Sequence, residues 1–323
     1  MFFCIFRPYN TYIVNVSLLQ FVMIKIQPSH LKEIDMKTAY IIDSSSSINE
    51  TLGNRSDVYV QNLEVTWGDA AYTDTTDLSL MKEFYQRLES TEDLPKTSQP
   101  RQGKLSESFD DIVQKGFDSV IIITLASAIS GTYNTFRMIS EQYQKSLDIR
   151  MIDSKGTSYV EERLLEYSIE LNEAGFDLDT IEEKLNWFSE QAKIYVVIED
   201  LNAIVKGGRL SSFGAFLGST LKIRPILNFD DEGKVKVFEK VRTTKKVYQR
   251  YLTLVDEAVA KYPDGIDLTL AHGDCEDSAL EVKELILEKY PEMSFRVGYL
   301  TPVLGTHGGK NSLGIGILPK LPK

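Results

Sequence analysis

Residues 119–134 read SVIIITLASAISGTYN. The first seven are almost all apolar or β-branched, the pattern of a strand buried on both faces. SAISGTYN then leads the chain into a helix expected over 132–145. Upstream, 106–115 has helical spacing and is closed by Gly116. Downstream, 148–153 is strand-like again. Strands and helices that alternate in this way predict a parallel or mostly parallel sheet with helices on both faces.

Working outward, 38–42 (TAYII) is a short buried-strand run ended by Asp43 and four serines. Residues 58–67 alternate with period two and predict one strand. A turn with a short strand follows at 68–74, then a helix at 79–88. Beyond 155 come long helices at 158–174 and 179–192, a strand at 193–198 and a helix at 212–221. Residues 226–229 and 234–239 flank a hairpin turn, and 243–262 is an amphipathic helix. Elements at 266–271, 278–290, 295–300 and 313–318 complete the pattern. The expected fold class is α/β in two domains. The N-terminal domain (36–155) has a mostly parallel sheet flanked by helices, and the C-terminal domain (156–323) is mixed α/β. A length of 323 residues agrees with two domains.

Residues 1–35 differ in character from the rest. They lack the basic n-region, unbroken apolar core and small-residue cleavage site of a secretory signal. They also lack an apolar run of about 18 residues, so no transmembrane segment is expected. Met36 opens a fresh strand pattern, and 1–35 is expected to be a non-native or disordered extension.

The net charge of −11 carries no whole-chain basic footprint for nucleic acid. Two cysteines cannot build a disulfide framework, which points to a reducing, cytoplasmic setting. With three histidines, no HExxH and no paired CxxC, neither a metal nor a cofactor is expected. GTHGGK at 305–310 is one residue short of a P-loop and lacks its hydroxyl. There is no GxSxG elbow, and no general base is paired with a nucleophile, so no catalytic residue is assigned.

Three constellations remain. In KTSQPR (96–101), Thr97 and Ser98 precede a helix, and in SAISGTYN, Ser130, Gly131 and Thr132 do the same. Hydroxyls at helix starts admit two readings, plain caps or a seat for an anion. Gly131 would let a ligand or another backbone come close. In 201–227, Lys206, Arg209, Lys222 and Arg224 concentrate positive charge, and Gly214 and Gly218 share a helix face for close packing by a helix or a slender ligand. In 300–309 (LTPVLGTHGG), His307 is flanked by glycines and is either a plain loop histidine or a partner for an anionic head group.

Taken together, DSSSS, TSQP, SxxSGTYN, KGGRLS, IRPIL and PVLGTHGG occur in order over residues 36–318. This ordered set resembles the DegV family of bacterial fatty-acid-binding proteins. The resemblance implies a two-domain α/β protein that holds one long-chain fatty acid between its domains. It implies that Thr97 and Ser130 bind the carboxylate, with His307 near the head group. It also implies work with a separate fatty acid kinase, whose acyl-phosphate product feeds phospholipid synthesis. Arg209, and after it Lys206 or Arg224, would then serve the phosphate or the kinase contact. One departure is that Gly309-Lys310-Asn311 stands where the family has Gly-Pro-Gly, which loosens φ at that turn. The alternatives are an enzyme acting on small keto or phosphorylated metabolites, marked by a small polar pocket around His307 and Asp43, and a pure interaction protein.

Overall fold

The apolar run at 119–124 forms an inner strand of a parallel sheet in the computed structural model, which describes residues 37–91, 93–199, 201–210 and 224–322. The expectations for 1–35 and Met36, for the helix at 212–221 with Gly214 and Gly218, and for Lys222 lie outside the described residues. The first half runs β1 (Thr38–Asp43), α1 (Glu50–Gly53), β2 (Val58–Gln61), β3 (Glu64–Trp67), β4 (Ala70–Thr73), α2 (Leu78–Ser90), β5 (Lys96–Ser98), α3 (Gln102–Gln114), β6 (Ser119–Thr124), α4 (Thr132–Ser140) and β7 (Asp148–Asp153). It continues α5 (Tyr159–Glu173), α6 (Leu178–Gln191), β8 (Lys193–Val197), α7 (Asn202–Lys206), β9 (Arg224–Phe229), β10 (Val235–Val241), α8 (Thr244–Lys261) and β11 (Ile266–His272). The last elements are α9 (Glu276–Lys289), β12 (Phe295–Tyr299), α10 (Pro302–Gly308) and β13 (Leu313–Pro319).

The first sheet has the order β2-β1-β6-β7, all parallel. Alternate residues of its inner strands feed two separate cores, as period two requires. Ala39, Ile41, Val120 and Ile122 pack with Leu105, Phe109 and Ile112 of α3 and Phe136 of α4. Tyr40, Ile42, Ile121 and Ile123 pack with Leu164 and Leu165 of α5 and Leu185 and Phe188 of α6. Helices therefore cover both faces, which is why the strands carry no polar side. Three loops leave the carboxyl ends of β1, β6 and β7 on one edge, where ligands of parallel sheets bind.

The second sheet has the order β10-β9-β8-β13-β11-β12. Only the β11–β12 pair is parallel. On one face Leu313, Ile315 and Ile317 of β13 join Leu268 and Leu270 of β11 under Tyr251 and Val255 of α8 and Val282 and Ile286 of α9. The opposite face presents the other register: Gly314 and Gly316 on β13, flanked by Val196 on β8 and Ala271 on β11.

A third sheet, β4-β3-β5, corrects two expectations. Residues 58–67 are two strands in two sheets rather than one, because the chain leaves the first sheet after Gln61 and re-pairs from Glu64. Thr97 and Ser98 lie on β5, paired to β3, so they do not begin a helix. The N-cap of α3 is Arg101, which makes no side-chain cap bond.

Candidate functional site

A cavity of about 350 Å³ opens between the two sheets. Most of its wall is apolar: Leu125 and Ile129 from the loop after β6, Val160 from α5, Ile194 and Val196 from β8, Phe229 from β9, and Leu300, Val303 and Leu304 at α10. Gly314 and Gly316 form part of the floor. A Cβ built on Gly314 would meet Ala271 O at 3.6 Å and Val196 Cβ at 3.7 Å, so the bare glycine is what keeps that space open. A glycine in a strand interior marks such close approach, and the alternation LGIGILP was the sequence signal for it.

The polar groups gather at one part of this wall. Thr97, Ser98, Gln99, Ser130, Gly131, Arg209 and His307 all line it. Thr132 is fully buried behind Ser130. Thr97 Oγ1 lies 2.9 Å from His307 Nε2 across 210 residues of sequence. Burial, with the Arg209 charge second, pushes the His307 imidazole down to about 4, so it is neutral at pH 7. Its Nδ1 is buried against Gly207 and has no hydrogen-bond partner among the described residues. A buried N–H left unpaired costs more than a bare lone pair. The network therefore favours the proton on Nε2, donated to Thr97 Oγ1. The Thr97 hydroxyl is then free to donate into the cavity.

Ser130 is arranged in a parallel way. Its Oγ accepts from the Thr132 N–H at 3.2 Å and lies 2.9 Å from Thr132 Oγ1. Either hydroxyl can be the donor in that pair, and with Thr132 donating, the Ser130 proton is left for a ligand. The loop itself is pinned: Leu125 N–H donates to Asp43 Oδ2 at 2.9 Å, and Ser127 Oγ donates to Asp153 at 2.5 Å.

Gln99 was not singled out in the sequence. Its Oε1 accepts from Thr135 Oγ1 at 2.9 Å and lies 2.9 Å from where a Gly131 Cβ would stand. The room left by Gly131 is thus used by a side chain, where a ligand or backbone was expected. Its place inside TSQP was the available signal.

Of the described members of the expected positive cluster, only Arg209 lines the cavity. Its Nε donates to Ile129 O at 3.2 Å and its Nη1 to Gly207 O. Lys206 is exposed on α7, and Arg224 pairs with Glu199 at 3.3 Å. His307 is not on a loop, since α10 carries it. That helix begins Thr301-Pro302, and its Val303 N–H donates to Asp74 Oδ1 at 2.9 Å, a cap supplied from a distant strand end. Asp74 Oδ2 accepts from Ser44 Oγ at 2.8 Å, and Ser44 Oγ accepts from Leu63 N–H. One of the DSSSS serines thereby supports the helix that bears His307. Gly305 lets Phe84 and Tyr85 of α2 close on that helix, and Tyr85 donates to Leu300 O at 3.0 Å.

A second buried network lies behind the site. Asp43 Oδ1 accepts from Ser45 N–H at 3.0 Å, and Ser45 Oγ lies 2.7 Å from both Asp43 and Glu161. Burial raises Asp43 to about 6, Asp74 to about 7, and Glu161 well above the carboxylate range. Folding raises these affinities for protons, so between the ordinary carboxylate pKa and about pH 7 the folded chain binds more protons than the unfolded one. Stability is then greatest on the acid side of that window and falls as pH rises through it. Urea melts should show a lower midpoint at pH 8 than at pH 5. Glu161→Gln, which is neutral at every pH, should flatten that fall, leaving the midpoint at pH 8 closer to the one at pH 5. An unchanged pH slope in that variant would show that Glu161 does not carry the effect.

The chain is similar to known proteins in both sequence and fold. A family model described as "Uncharacterised protein, DegV family" matches residues 37–320. The chain belongs to the DegV family. The family resemblance carried by the six ordered motifs is thereby borne out. Protein DegV of Bacillus subtilis is 33% identical over 284 residues, covering 87% of this chain and 98% of that protein. The crystal structure of a fatty acid binding DegV family protein from Streptococcus agalactiae matches with a TM-score of 0.82 and 32% identity, over 88% of this chain and 99% of that one. The Streptococcus pneumoniae Fatty Acid Kinase (Fak) B3 protein, loaded with linoleic acid, shares the DegV fold at a TM-score of 0.75 and 20% identity, over 88% and 100% of the two chains. Among the described residues, no helix is long and apolar enough to cross a membrane.

Proposed function

We propose that this protein binds one long-chain fatty acid, buries its chain between the two sheets, and presents the carboxylate at Thr97 and Ser130. The observation that carries this reading is an apolar cavity with two hydroxyls, Thr97 and Ser130, on one part of its wall. Burying the chain contributes about 0.8 kcal/mol per methylene, and two hydroxyl donors match a carboxylate. With His307 neutral, the positive charge facing the head group is that of Arg209, which is braced on two carbonyls.

The protein is a carrier with no turnover of its own, acts in the cytoplasm, and hands the bound acid to a separate fatty acid kinase whose acyl phosphate feeds phospholipid synthesis. The kinase step draws on the family resemblance and on the name of the pneumococcal neighbour. A small-metabolite enzyme is less well supported, because Asp43 is buried with Ser45 and Glu161 and does not line the cavity. Protein purified from cells, denatured and extracted should yield near-stoichiometric fatty acid by mass spectrometry. An empty protein that also takes up no added fatty acid would overturn the reading.

A further inference from the structure

The apolar chamber ends at a wall. Its lining crosses the second sheet strand by strand, through Val235 on β10, Phe229 on β9, Val196 on β8, Gly314 on β13 and Ala271 on β11. It takes nothing from the edge strand β12 among the described residues. A different cavity, of about 730 Å³, begins there, lined by Gly298 and Tyr299 of β12 and by groups such as Thr75, Lys82 and Glu276. Among the described residues, Tyr159 alone lines both cavities.

Tyr159 is the first residue of α5 and follows Ser158, whose backbone is left-handed at φ 58°. That strained residue is fixed by its N–H to Ser45 O at 3.1 Å and by its hydroxyl, 3.1 Å from Ser47 Oγ. From this fixed start the Tyr159 ring crosses to β12, where its hydroxyl rests against Gly298, so close that a Cβ there would collide with it. The hydroxyl makes no hydrogen bond among the described residues. The ring is therefore held by packing and serves as a partition.

We propose that Tyr159 is the end stop of the acyl chamber and sets the longest chain the protein accepts. This deepens the fatty-acid reading and rests on it. His307, which Thr97 joins at the carboxyl end, packs on Gly207 just after α7, and Ile204 of α7 clusters with Phe229 of β9 and Val235 of β10, so the carboxyl end lies on that side. The methyl end therefore points toward β12. Up to the wall, each added methylene is buried and raises affinity about fourfold. A methyl end pushed past Tyr159 would enter hydroxyls and charges and gain nothing.

The test is a series of dissociation constants for saturated fatty acids of increasing length. Wild type should gain about fourfold per carbon and then break sharply. Tyr159→Ala should move the break to longer chains by about two carbons or more, whereas Tyr159→Phe should leave it in place. Gly298→Ala should drive the phenol into the chamber and shorten the limit. Adding Tyr159→Phe to Gly298→Ala should restore it, since the next ring atom is an ordinary 3.6 Å from that Cβ. An unmoved break in Tyr159→Ala overturns the proposal. Should that variant fail to fold, an identical break in wild type, Gly298→Ala and the double variant does so instead. Wild type that binds no fatty acid of any length overturns the underlying reading as well, which separates the two failures.

Discussion

Replacing Thr97 with valine and Ser130 with alanine is expected to weaken fatty-acid binding by about 10²–10⁴-fold. Each hydroxyl donates to a charged acceptor, and such bonds contribute about 1.5–3 kcal/mol each. The Thr97 change also strips the His307 Nε2 proton of its acceptor at 2.9 Å, which adds a buried unsatisfied donor to the loss. Titration of the purified, delipidated protein at pH 7 would measure this. Fatty acid methyl esters provide the control: they carry no charge, so their binding should change far less. Equal affinity of wild type and double variant for the free acid would remove Thr97 and Ser130 from the site.

Gly314→Leu should lower affinity by about 10²-fold while leaving the fold intact. The Cβ has room, with nearest contacts of 3.6 to 3.8 Å, and Gly314 has no positive φ to forbid a side chain. The added four carbons occupy space the ligand needs, displacing about four methylenes at about 0.8 kcal/mol each. An unaltered melting temperature with lost binding would locate the acyl chain over β13. Undiminished binding would mean that the chain runs elsewhere.

The sequence was most legible where local pattern and tertiary environment agree. The β-branched run at 119–124 has helices on both faces, as its composition predicts. Gly116, at φ 72°, closes α3 where the glycine signal placed it. Legibility failed where distant groups decide the outcome. PVLGTHG is a poor helix sequence, and it folds as α10 because Asp74, 229 residues earlier, accepts from Val303. The alternation in 58–67 continues past Gln61, so periodicity alone could not reveal that the strand changes sheets. Thr97 and Ser130 were recognisable as a pair of hydroxyls. That Thr97 is presented by an edge strand, with Gln99 behind it, depends on pairing with β3.

The place of β13 bears on how the protein is made. It lies between β8 and β11, so neither strand has its final neighbour until β13 has been synthesised. The glycines that shape the floor arrive with it, and His307 only shortly before. Long-range pairing of this kind forms late. A nascent chain that has not yet extended through β13 would therefore have no complete seat for a lipid.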